Sequence, residues 1–350
     1  MLYLYPVKVS VIIPFYKVEA FIGRCAESLL EQTLEDVEFI FVDDASPDGS
    51  AGVLQEMVSR YPSRDVKILR HEANRGLPAA RNTGLAAASG EYIYHCDSDD
   101  YLEKDALEKL WAAASAAGAD FAYCDFFLES DSSSRVLDNP SFTDPGRMLR
   151  EGFLSGRMKY NVWNKLVSRS VYERSSALFV ANGAVPSATA APSGGLAALF
   201  PAGHSMGEDM TMILLALSAT RTVHVPEPLY HYMRTNPAAF TAQKIPSPSQ
   251  KARNDKTADI RFNADRVLVA LDGRVEPEYI AFFKLSVKLP FLFSGSDEDY
   301  RLWHEWWPEA DRYIMRNRFL PLRTRLVQLA ARLHLRPLVR LYATLVSRGA

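Results

Sequence analysis

The stretch HCDSDDYLEKD contains three aspartates within four positions, Asp97, Asp99 and Asp100. Like charges this close repel one another by up to a few kcal/mol in partly buried surroundings, so the cluster requires a positive partner. Carboxylate oxygens suit Mg²⁺ or Mn²⁺, which keep open positions for water and for substrate phosphates. The three aspartates are therefore predicted metal ligands. The alternative is a solvated acidic turn in which Asp100 or Asp105 caps the next helix.

The orientation of these side chains depends on the local backbone. In an extended segment alternate side chains point the same way, so Asp97 and Asp99 would face one side and Asp100 the other. This geometry predicts two metal-ligating carboxylates at the end of an apolar strand.

Strands and helices alternate along the chain that must hold this cluster. Apolar runs predict strands at 7–14, 37–44, 66–69, 91–96 and 121–126. Helical patterns lie between them, each about 10 to 15 residues long. This order predicts an α/β protein with a mostly parallel, Rossmann-like sheet flanked by helices.

Polar clusters follow three of the predicted strands, at 14–17, 43–50 and 97–100. Ligands of such sheets bind beyond the carboxyl ends of the strands, so we expect these clusters to line one crevice. The chain has neither the dinucleotide-binding glycine fingerprint nor a P-loop. A bound diphosphate would therefore need another source of positive charge.

The segments VSVIIPFYK, VEFIFVDDASPDGS and NRGLPAARNTGLAAASGEYIYHCDSDD occur in order, and residues 7–110 resemble glycosyltransferase family 2. The resemblance implies the GT-A fold, a nucleotide-diphosphate sugar donor and Mg²⁺ or Mn²⁺ as cofactor. It implies that Pro14 and Tyr16 contact the nucleotide base and that Asp44, with Asp43, accepts a hydrogen bond from it. The imide N–H of uracil is a donor of the required kind, which favours UDP.

The resemblance also assigns roles further along. Asn74, Arg81 and Asn82 match the segment beside the nucleotide or its sugar. Asp97 and Asp99 match the D-x-D motif that touches ribose and metal, with Asp100 adjacent. The structural alternatives are that Tyr16 is half-buried at a strand end, that Arg81 forms a surface ion pair on its helix, and that the two acids at 43–44 form a turn.

An acidic pair, Glu208 and Asp209, precedes the apolar run MTMILLALSA. Acids at a helix start are commonly dipole and capping choices. The family, however, carries an acidic pair here, which implies that Asp209 is the general base and Glu208 its neighbour. Proton removal from an acceptor hydroxyl contributes roughly 10²- to 10⁴-fold. A single base predicts one displacement with inversion at the anomeric carbon.

The acceptor side offers further candidates with open alternatives. Residues 181–207 predict a long lid or binding loop, with extra residues at about 180–198. Trp163 either stacks on a sugar ring or belongs to the core. Lys165 lies near a phosphate or on the surface. His231 and Arg234 assist the diphosphate or are structural, and they stay outside the main prediction.

Composition limits the classes of function. Of 350 residues 48% are hydrophobic and 23% charged, with a net charge of −2, which predicts a globular protein and argues against general nucleic-acid binding. Three cysteines without CxxC spacing indicate a reducing compartment and no zinc site. No signal-peptide pattern or membrane-length apolar run occurs, so we expect a cytoplasmic protein.

The carboxyl-terminal region differs from the rest in charge. Residues 312–350 contain nine arginines and no acidic residue, and four leucines at 322, 326, 329 and 333 share one helical face. This pattern predicts peripheral contact with anionic lipid at the inner face of the cell membrane, or a helical subdomain with its arginines in water.

Two domains are predicted. Residues 1–240 form the catalytic domain, with a nucleotide-sugar half at 1–125 and an acceptor half at 126–240. Residues 241–350 form a helical region.

These expectations combine into one function. We expect a metal-dependent, inverting glycosyltransferase that moves a sugar from a nucleotide-diphosphate sugar to a glycan or lipid-linked acceptor, in surface polysaccharide synthesis by resemblance. A nucleotidyltransferase is one alternative, although the chain lacks a glycine-rich basic loop after the first strand. A non-catalytic glycan-binding relative is the other.

Overall fold

The computed structural model describes residues 6–181, 196, 198–204, 206–236, 250–294 and 296–348. Its contacts divide the chain into two compact units. The first unit comprises Met1–Pro145 and Tyr160–Arg266, and the second comprises Gly146–Lys159 and Val267–Ala350. The predicted boundary after residue 240 stays a prediction, and the contact-based division lies at Arg266.

The described part of the first unit contains one nine-stranded sheet. Its strands are β1 Val9–Phe15, β2 Val37–Asp43, β3 Asp65–Arg70, β4 Tyr92–His95, β5 Tyr101–Leu102, β6 Phe121–Ser130, β7 Ser133–Leu137, β8 Lys165–Ser168 and β9 Thr222–Met233. Their order across the sheet is β3-β2-β1-β4-β8-β6-β9-β5, and β7 pairs with β6.

The helices of this unit and its border are α1 Ile22–Leu30, α2 Ser50–Ser59, α3 Leu77–Ala87, α4 Ala106–Ala117, the short α5 Pro145–Arg147 at its edge, α6 Arg169–Ala181, α7 Thr211–Ser218 and α8 Gln250–Leu271, which crosses the division. Of these, α1, α3, α4 and α6 contact strands of the sheet. The predicted stripe of α1 is confirmed, since Ile22, Cys25, Ala26 and Leu29 are buried.

The α/β class is confirmed, and the sheet is mixed, with a parallel first half and a second half in which β6 and β9 also pair in parallel. β3, β2, β1 and β4 run parallel, whereas β8 is antiparallel to both β4 and β6. The short strand β8 was not predicted as a strand, and it separates β4 from β6. Because β1, β2 and β4 are parallel, their carboxyl ends meet at one edge, as the pairing of Phe15 with Asp43 illustrates.

The close approach of α3 to β1 depends on Gly84. A Cβ atom there would lie 2.3 Å from Cγ2 of Ile12, so any larger residue would push the helix away from the strand. Pro78 stands in the first turn of α3, where its missing N–H is not needed. These two residues hold α3 against the sheet and thereby fix the position of Arg81.

The described part of the second unit is helical. After a π-helical turn at Met148–Leu154, it contains α9 Pro277–Lys288, α10 Asp297–Glu305, α11 Leu322–Arg332 and α12 Arg336–Arg348. Short 3-10 segments lie at Leu289–Leu292 and Pro308–Arg316. None of the helices within the described ranges has the length and apolar character needed to cross a membrane.

Candidate active site

The acidic stretch after β4 is a turn. The N–H of Asp100 donates to the carbonyl of Asp97 at 3.1 Å, and residues 98 and 99 form the bend. The extended geometry assumed from the sequence is therefore wrong, because the chain must reverse here to reach β5. Asp97 and Asp99 are half-buried, and Asp100 is buried.

Asp100 connects the turn to β9. Its Oδ2 accepts a hydrogen bond from the Tyr230 hydroxyl at 2.6 Å, and its Oδ1 accepts one from the Met233 N–H at 2.7 Å. Burial and the neighbouring Asp99 and Asp97 raise its pKa well above the ordinary value. With both oxygens engaged, this carboxyl is placed to hold the sheet edge together, while its predicted role as a metal ligand stays a prediction.

Asp99 remains the more open carboxylate. Its Oδ2 accepts a hydrogen bond from Asn236 Nδ2 at 2.9 Å. Burial and the charge of Asp97 raise its pKa, although the nearby Arg24 opposes the shift. The Arg24 guanidinium lies 4.4 Å from the ring centre of Tyr101, which places this cation near the acidic turn.

The donor set fits a divalent ion that takes few protein ligands. Among the described residues, no three His, Cys, Asp or Glu side chains are arranged to hold a metal. Mg²⁺ commonly binds through only one or two carboxylates and takes its other ligands from water and substrate phosphates. Asp97 and Asp99 are the two half-buried carboxylates of the turn that can serve in this way.

Arg81 provides the positive partner that the acidic cluster requires. It projects from α3 and is 1% exposed, so the surface ion pair considered from the sequence is wrong. Its Nη2 donates to Asp97 Oδ1 at 2.9 Å, and its Nη1 donates to Asp209 Oδ1 at 3.3 Å and to Glu208 Oε1 at 3.5 Å. One guanidinium therefore joins the predicted metal turn to the predicted base.

The charge at Arg81 is unbalanced. Burial alone would lower its pKa, but the charges of Asp97, Asp209 and Glu208 raise it overall, so the guanidinium stays ionised. Its buried Nε has no hydrogen-bond acceptor among the described residues. Its guanidinium carbon lies 5.5 Å from the Phe200 ring. Three carboxylates face one cation, which leaves net negative charge in the cluster.

The acidic pair lies on the 3-10 segment Glu208–Met210, directly before α7. Gly207 precedes it with a φ of +79°, a conformation that favours glycine. The carbonyl of Met206 accepts a hydrogen bond from Asn263 Nδ2 at 2.8 Å, which ties the segment to α8. This anchoring fixes both carboxylates beside Arg81.

The two acids differ in exposure. The Glu208 side chain is 9% exposed and the Asp209 side chain is 41% exposed. Burial and the charge of Asp209 raise the pKa of Glu208 to about 8, against the effect of Arg81. Desolvation and the charge of Asp97 also raise the pKa of Asp209. Together they outweigh Arg81, which lowers it. Burial and Asp209 thus favour the protonated form of Glu208, and Asp209 is the more exposed carboxyl of the pair.

Lys165 on β8 is buried, so the surface position favoured from the sequence is wrong. Its Nζ donates to the Asn161 carbonyl and to Asn164 Oδ1, each at 2.6 Å. Burial lowers its pKa to about 7, while the charges of Cys124 and Asp209 oppose the shift. The electrostatic effect of Cys124 and Asp209 on this lysine could not be recognised from the sequence, because these two residues lie in segments distant from β8.

The predicted base-contacting residues lie at and after the end of β1. Pro14 is buried within the strand, so the strand extends one residue past the predicted end. Tyr16 is 39% exposed and lies beside the Lys17 ammonium, 5.2 Å from its ring centre. Asn74 is exposed in the loop before α3. Of these three, Tyr16 and Asn74 present their side chains to solvent.

Asp43 forms the turn that was the alternative from the sequence, whereas Asp44 binds a distant loop. Asp44 accepts hydrogen bonds from the N–H groups of Arg75 and Gly76, both at 2.8 Å, and its Oδ1 lies 2.6 Å from His71 Nδ1. Asp43 Oδ1 accepts from the Ser46 N–H at 2.7 Å. Asp44 thus anchors the loop that leads into α3, and its predicted contact with a base stays a prediction.

Trp163, His231 and Asn82 make contacts within the fold, and the roles predicted for them and for Arg234 stay predictions. Trp163 stacks on Tyr230 with ring centres 4.3 Å apart and is 6% exposed, which places it in the core. His231 lies between two glutamates, with its Nδ1 2.9 Å from Glu129 Oε1 and its Nε2 2.9 Å from Glu103 Oε1. Asn82 holds the Leu199–Phe200 backbone through three hydrogen bonds. Arg234 is exposed.

The predicted lid at 181–207 falls mostly outside the described residues. A surface pocket lies elsewhere, near the amino-terminal end of β2, lined in part by Leu30, Asp36 and Arg64. None of the predicted site residues lines it.

Part of the chain matches a known protein family. Residues 10–175 match the family model described as glycosyl transferase family 2. The chain is 37% identical over 182 residues to the uncharacterized glycosyltransferase EpsJ of Bacillus subtilis (strain 168), an alignment covering 49% of this chain and 51% of that protein. It is 33% identical over 170 residues to the putative glycosyltransferase EpsH of the same organism, covering 47% and 48%. The chain thus spans about half the length of these relatives.

A solved structure resembles nearly the whole chain. The crystal structure of S. aureus TarS 1–349 in complex with UDP-GlcNAc matches 98% of this chain and 92% of that one, with a TM-score of 0.63 and 20% identity. At this identity the likeness concerns the fold. It confirms the predicted GT-A-type fold, and the family match confirms the predicted resemblance to glycosyltransferase family 2 over residues 10–175.

Proposed function

We propose that this protein is a metal-dependent, inverting glycosyltransferase that moves a sugar from a nucleotide-diphosphate sugar, UDP-linked, to a hydroxyl of a glycan or lipid-linked acceptor. The observation that carries the proposal is the cluster in which Arg81 contacts Asp97, Glu208 and Asp209. In this cluster the Arg81 side chain contacts both the donor-side carboxylate and the acceptor-side pair of acids. The crystallised relative named above holds UDP-GlcNAc, which supports a UDP-sugar donor for this chain.

The acceptor hydroxyl needs a base, and Asp209 is proposed for that role. Its Oδ1 is held by Arg81 at 3.3 Å, whereas its Oδ2 accepts no hydrogen bond from the described residues. Oδ2 would take the hydroxyl proton as the hydroxyl oxygen bonds to the anomeric carbon and the bond to the diphosphate oxygen breaks. A single displacement of this kind inverts the anomeric centre.

The donor side is assigned to Asp97 and Asp99. These carboxylates would hold Mg²⁺ or Mn²⁺, and the bound ion would neutralise charge on the departing diphosphate. Arg81 keeps Asp97 and Asp209 in fixed positions relative to one another. The buried Asp100 stabilises this turn through the hydrogen bond that it accepts from the Tyr230 hydroxyl.

A binding screen followed by a product assay tests the proposal. The full chain is warmed with a panel of nucleotide-diphosphate sugars, with and without Mn²⁺, because a ligand that binds the folded state raises its melting temperature. We expect UDP-sugars to stabilise the protein only with the metal and UDP to be released when an acceptor is added. Asp97→Asn and Asp99→Asn should lose the metal-dependent shift, whereas the exposed Asp131→Asn should retain it.

Three results would contradict the proposal. Release of pyrophosphate would indicate a nucleotidyltransferase. Binding of a nucleotide sugar without any turnover would indicate a non-catalytic relative. Equal stabilisation with and without metal would remove the assigned role of the two aspartates.

A further inference from the structure

The arginine-rich helix α11 exposes its leucines and buries its small residues. Leu322, Leu326 and Leu333 are 54%, 49% and 58% exposed, whereas Ala330 and Ala331 are 8% and 0% exposed. The buried face packs within the second unit, against α12 and the 3-10 segments before α11. Amphipathic helices of globular proteins normally bury their leucines, so this arrangement is reversed.

The following helix repeats the pattern. Leu335, Leu338 and Leu341 are 44%, 53% and 60% exposed, whereas Val339 is 3% exposed. We call the six exposed leucines of residues 322–341 the leucine surface: Leu322, Leu326, Leu333, Leu335, Leu338 and Leu341. Single exposed leucines are ordinary, but six over two successive helices and the turn that connects them indicate an interaction surface.

The charged residues within 312–350 are all basic, and two of them, Arg336 and Arg340, pair with Asp297 of α10. Residues 312–350 contain nine arginines and no acidic residue. Arg316, Arg318 and Arg323 are exposed and form no salt bridge within the described ranges. On the helical wheel Arg323 and Arg332 lie on opposite sides of the α11 leucines, at about 100° per residue. The surface therefore presents apolar side chains bordered by cations.

We propose that the leucine surface binds an anionic lipid bilayer, with the leucines at the acyl boundary and the arginines at the phosphate headgroups. Leucines on one face with arginines at its borders suit the plane of a membrane interface. Anionic lipid supplies the negative charge that this region of the chain lacks. A second copy of the chain is a poorer occupant, because two such surfaces would bring like charges together.

Vesicle flotation with the full chain tests the proposal. We expect binding to vesicles of phosphatidylcholine mixed with phosphatidylglycerol, loss of binding at high salt, and little binding to phosphatidylcholine alone. The double variant Leu326→Glu with Leu333→Glu should bind at least about tenfold more weakly, since burial of one leucine contributes about that factor or more. The control Val136→Glu, at a site 42% exposed on β7, should bind as the unchanged protein does.

Other outcomes would overturn the proposal. They are equal binding of the double variant, equal binding to neutral and anionic vesicles, no binding to either, or self-association that the double variant abolishes. An unchanged melting temperature of the double variant shows that it is folded. Metal-dependent stabilisation by UDP-sugar, measured in the same variant, tests the proposed glycosyltransferase separately, because neither leucine belongs to its site.

Discussion

Each compact unit contains a buried cation, and the two cations differ in the number of carboxyl groups that surround them. Lys288 in the second unit is 0% exposed, and its ammonium donates to Asp311 Oδ1 at 2.6 Å and to the carbonyls of Trp306 and Trp303 at 3.0 and 3.1 Å. Its Nζ also lies 4.2 Å from the Trp303 ring centre. One carboxylate balances one ammonium, and all three N–H groups are used.

Arg81 in the first unit has three carboxylates and an unused donor. Its Nε lacks an acceptor among the described residues, and two of its acids, Asp97 and Asp209, have side chains 28% and 41% exposed. Surplus charge is unfavourable for stability, since buried ionised groups must be paired and desolvated. The comparison teaches that the closed pair at Lys288 serves the fold, whereas the open cluster at Arg81 is suited to a ligand and a proton transfer.

The largest predicted effect is on transfer. Asp209→Asn should lower kcat by roughly 10²- to 10⁴-fold, because the amide cannot take a proton from the acceptor hydroxyl. Glu208→Gln is the matched control and should keep most activity at neutral pH, because the amide resembles the protonated carboxyl already present. Release of UDP in an acceptor-dependent assay measures both. If Glu208→Gln is the more damaging change, the two roles are reversed.

The second prediction concerns stability. Lys288→Met should lower the free energy of unfolding by about 3 to 5 kcal/mol, because Asp311 is left without its buried partner. Arg81→Met should lower it less, since Asp97 and Asp209 can be hydrated, and should abolish transfer. Urea unfolding of the two variants gives the comparison. A larger loss for Arg81→Met would show that its cluster is chiefly structural.

The third prediction is a pH dependence in metal-free buffer. Because burial and Asp209 raise the pKa of Glu208 to about 8, the folded state holds this proton more tightly than the unfolded state does. Its contribution to stability is complete below pH 4.5 and is lost as the pH rises through 8. Each pKa unit corresponds to about 1.4 kcal/mol, so the fall reaches at most a few kcal/mol.

The variant Glu208→Gln should flatten this fall between pH 5 and pH 8. The exposed Glu173→Gln should leave it unchanged. Urea unfolding at several pH values measures the slopes. A wild-type stability that rises over this range, with the same slope in both variants, would contradict the assigned proton.

The smallest predicted effect separates two neighbouring acids. Asp100→Asn should change stability by about 1 kcal/mol or less, because the raised pKa of this buried carboxyl favours its neutral form and an amide can replace its hydrogen bonds. It should also keep Mn²⁺ binding, whereas Asp99→Asn should lose it. Electron paramagnetic resonance of Mn²⁺ with UDP present distinguishes the two. Loss of binding in Asp100→Asn alone would reverse the assignment.

The positions of the predicted donor-side residues in the fold were largely predictable from sequence. Apolar strands followed by polar residues place Tyr16, Asp44 and Asp97 after parallel strands, and parallel strands share one edge. Local patterns sufficed there because each residue follows its own strand directly. The turn at 97–100 was missed because strand alternation does not report where a chain reverses.

The acceptor half depended on contacts between distant segments. The buried Arg81 binds Asp97, which is 16 positions away along the chain, and Asp209, which is 128 positions away. Lys165 is buried because β8 inserts between β4 and β6. Neither arginine nor lysine carries a local pattern that predicts burial, since both are ordinarily exposed. Tertiary packing alone reveals them.

The position of the bound metal is the sharpest test of the roles proposed for Asp97 and Asp99. A crystal of the protein with Mn²⁺ and UDP would show the ion by anomalous scattering. We expect one anomalous peak, from an ion about 2.0 to 2.2 Å from an oxygen of Asp97 or Asp99 and from the diphosphate. Arg81 and Asp209 should lie beside it. A diphosphate and ion bound away from these aspartates would contradict it.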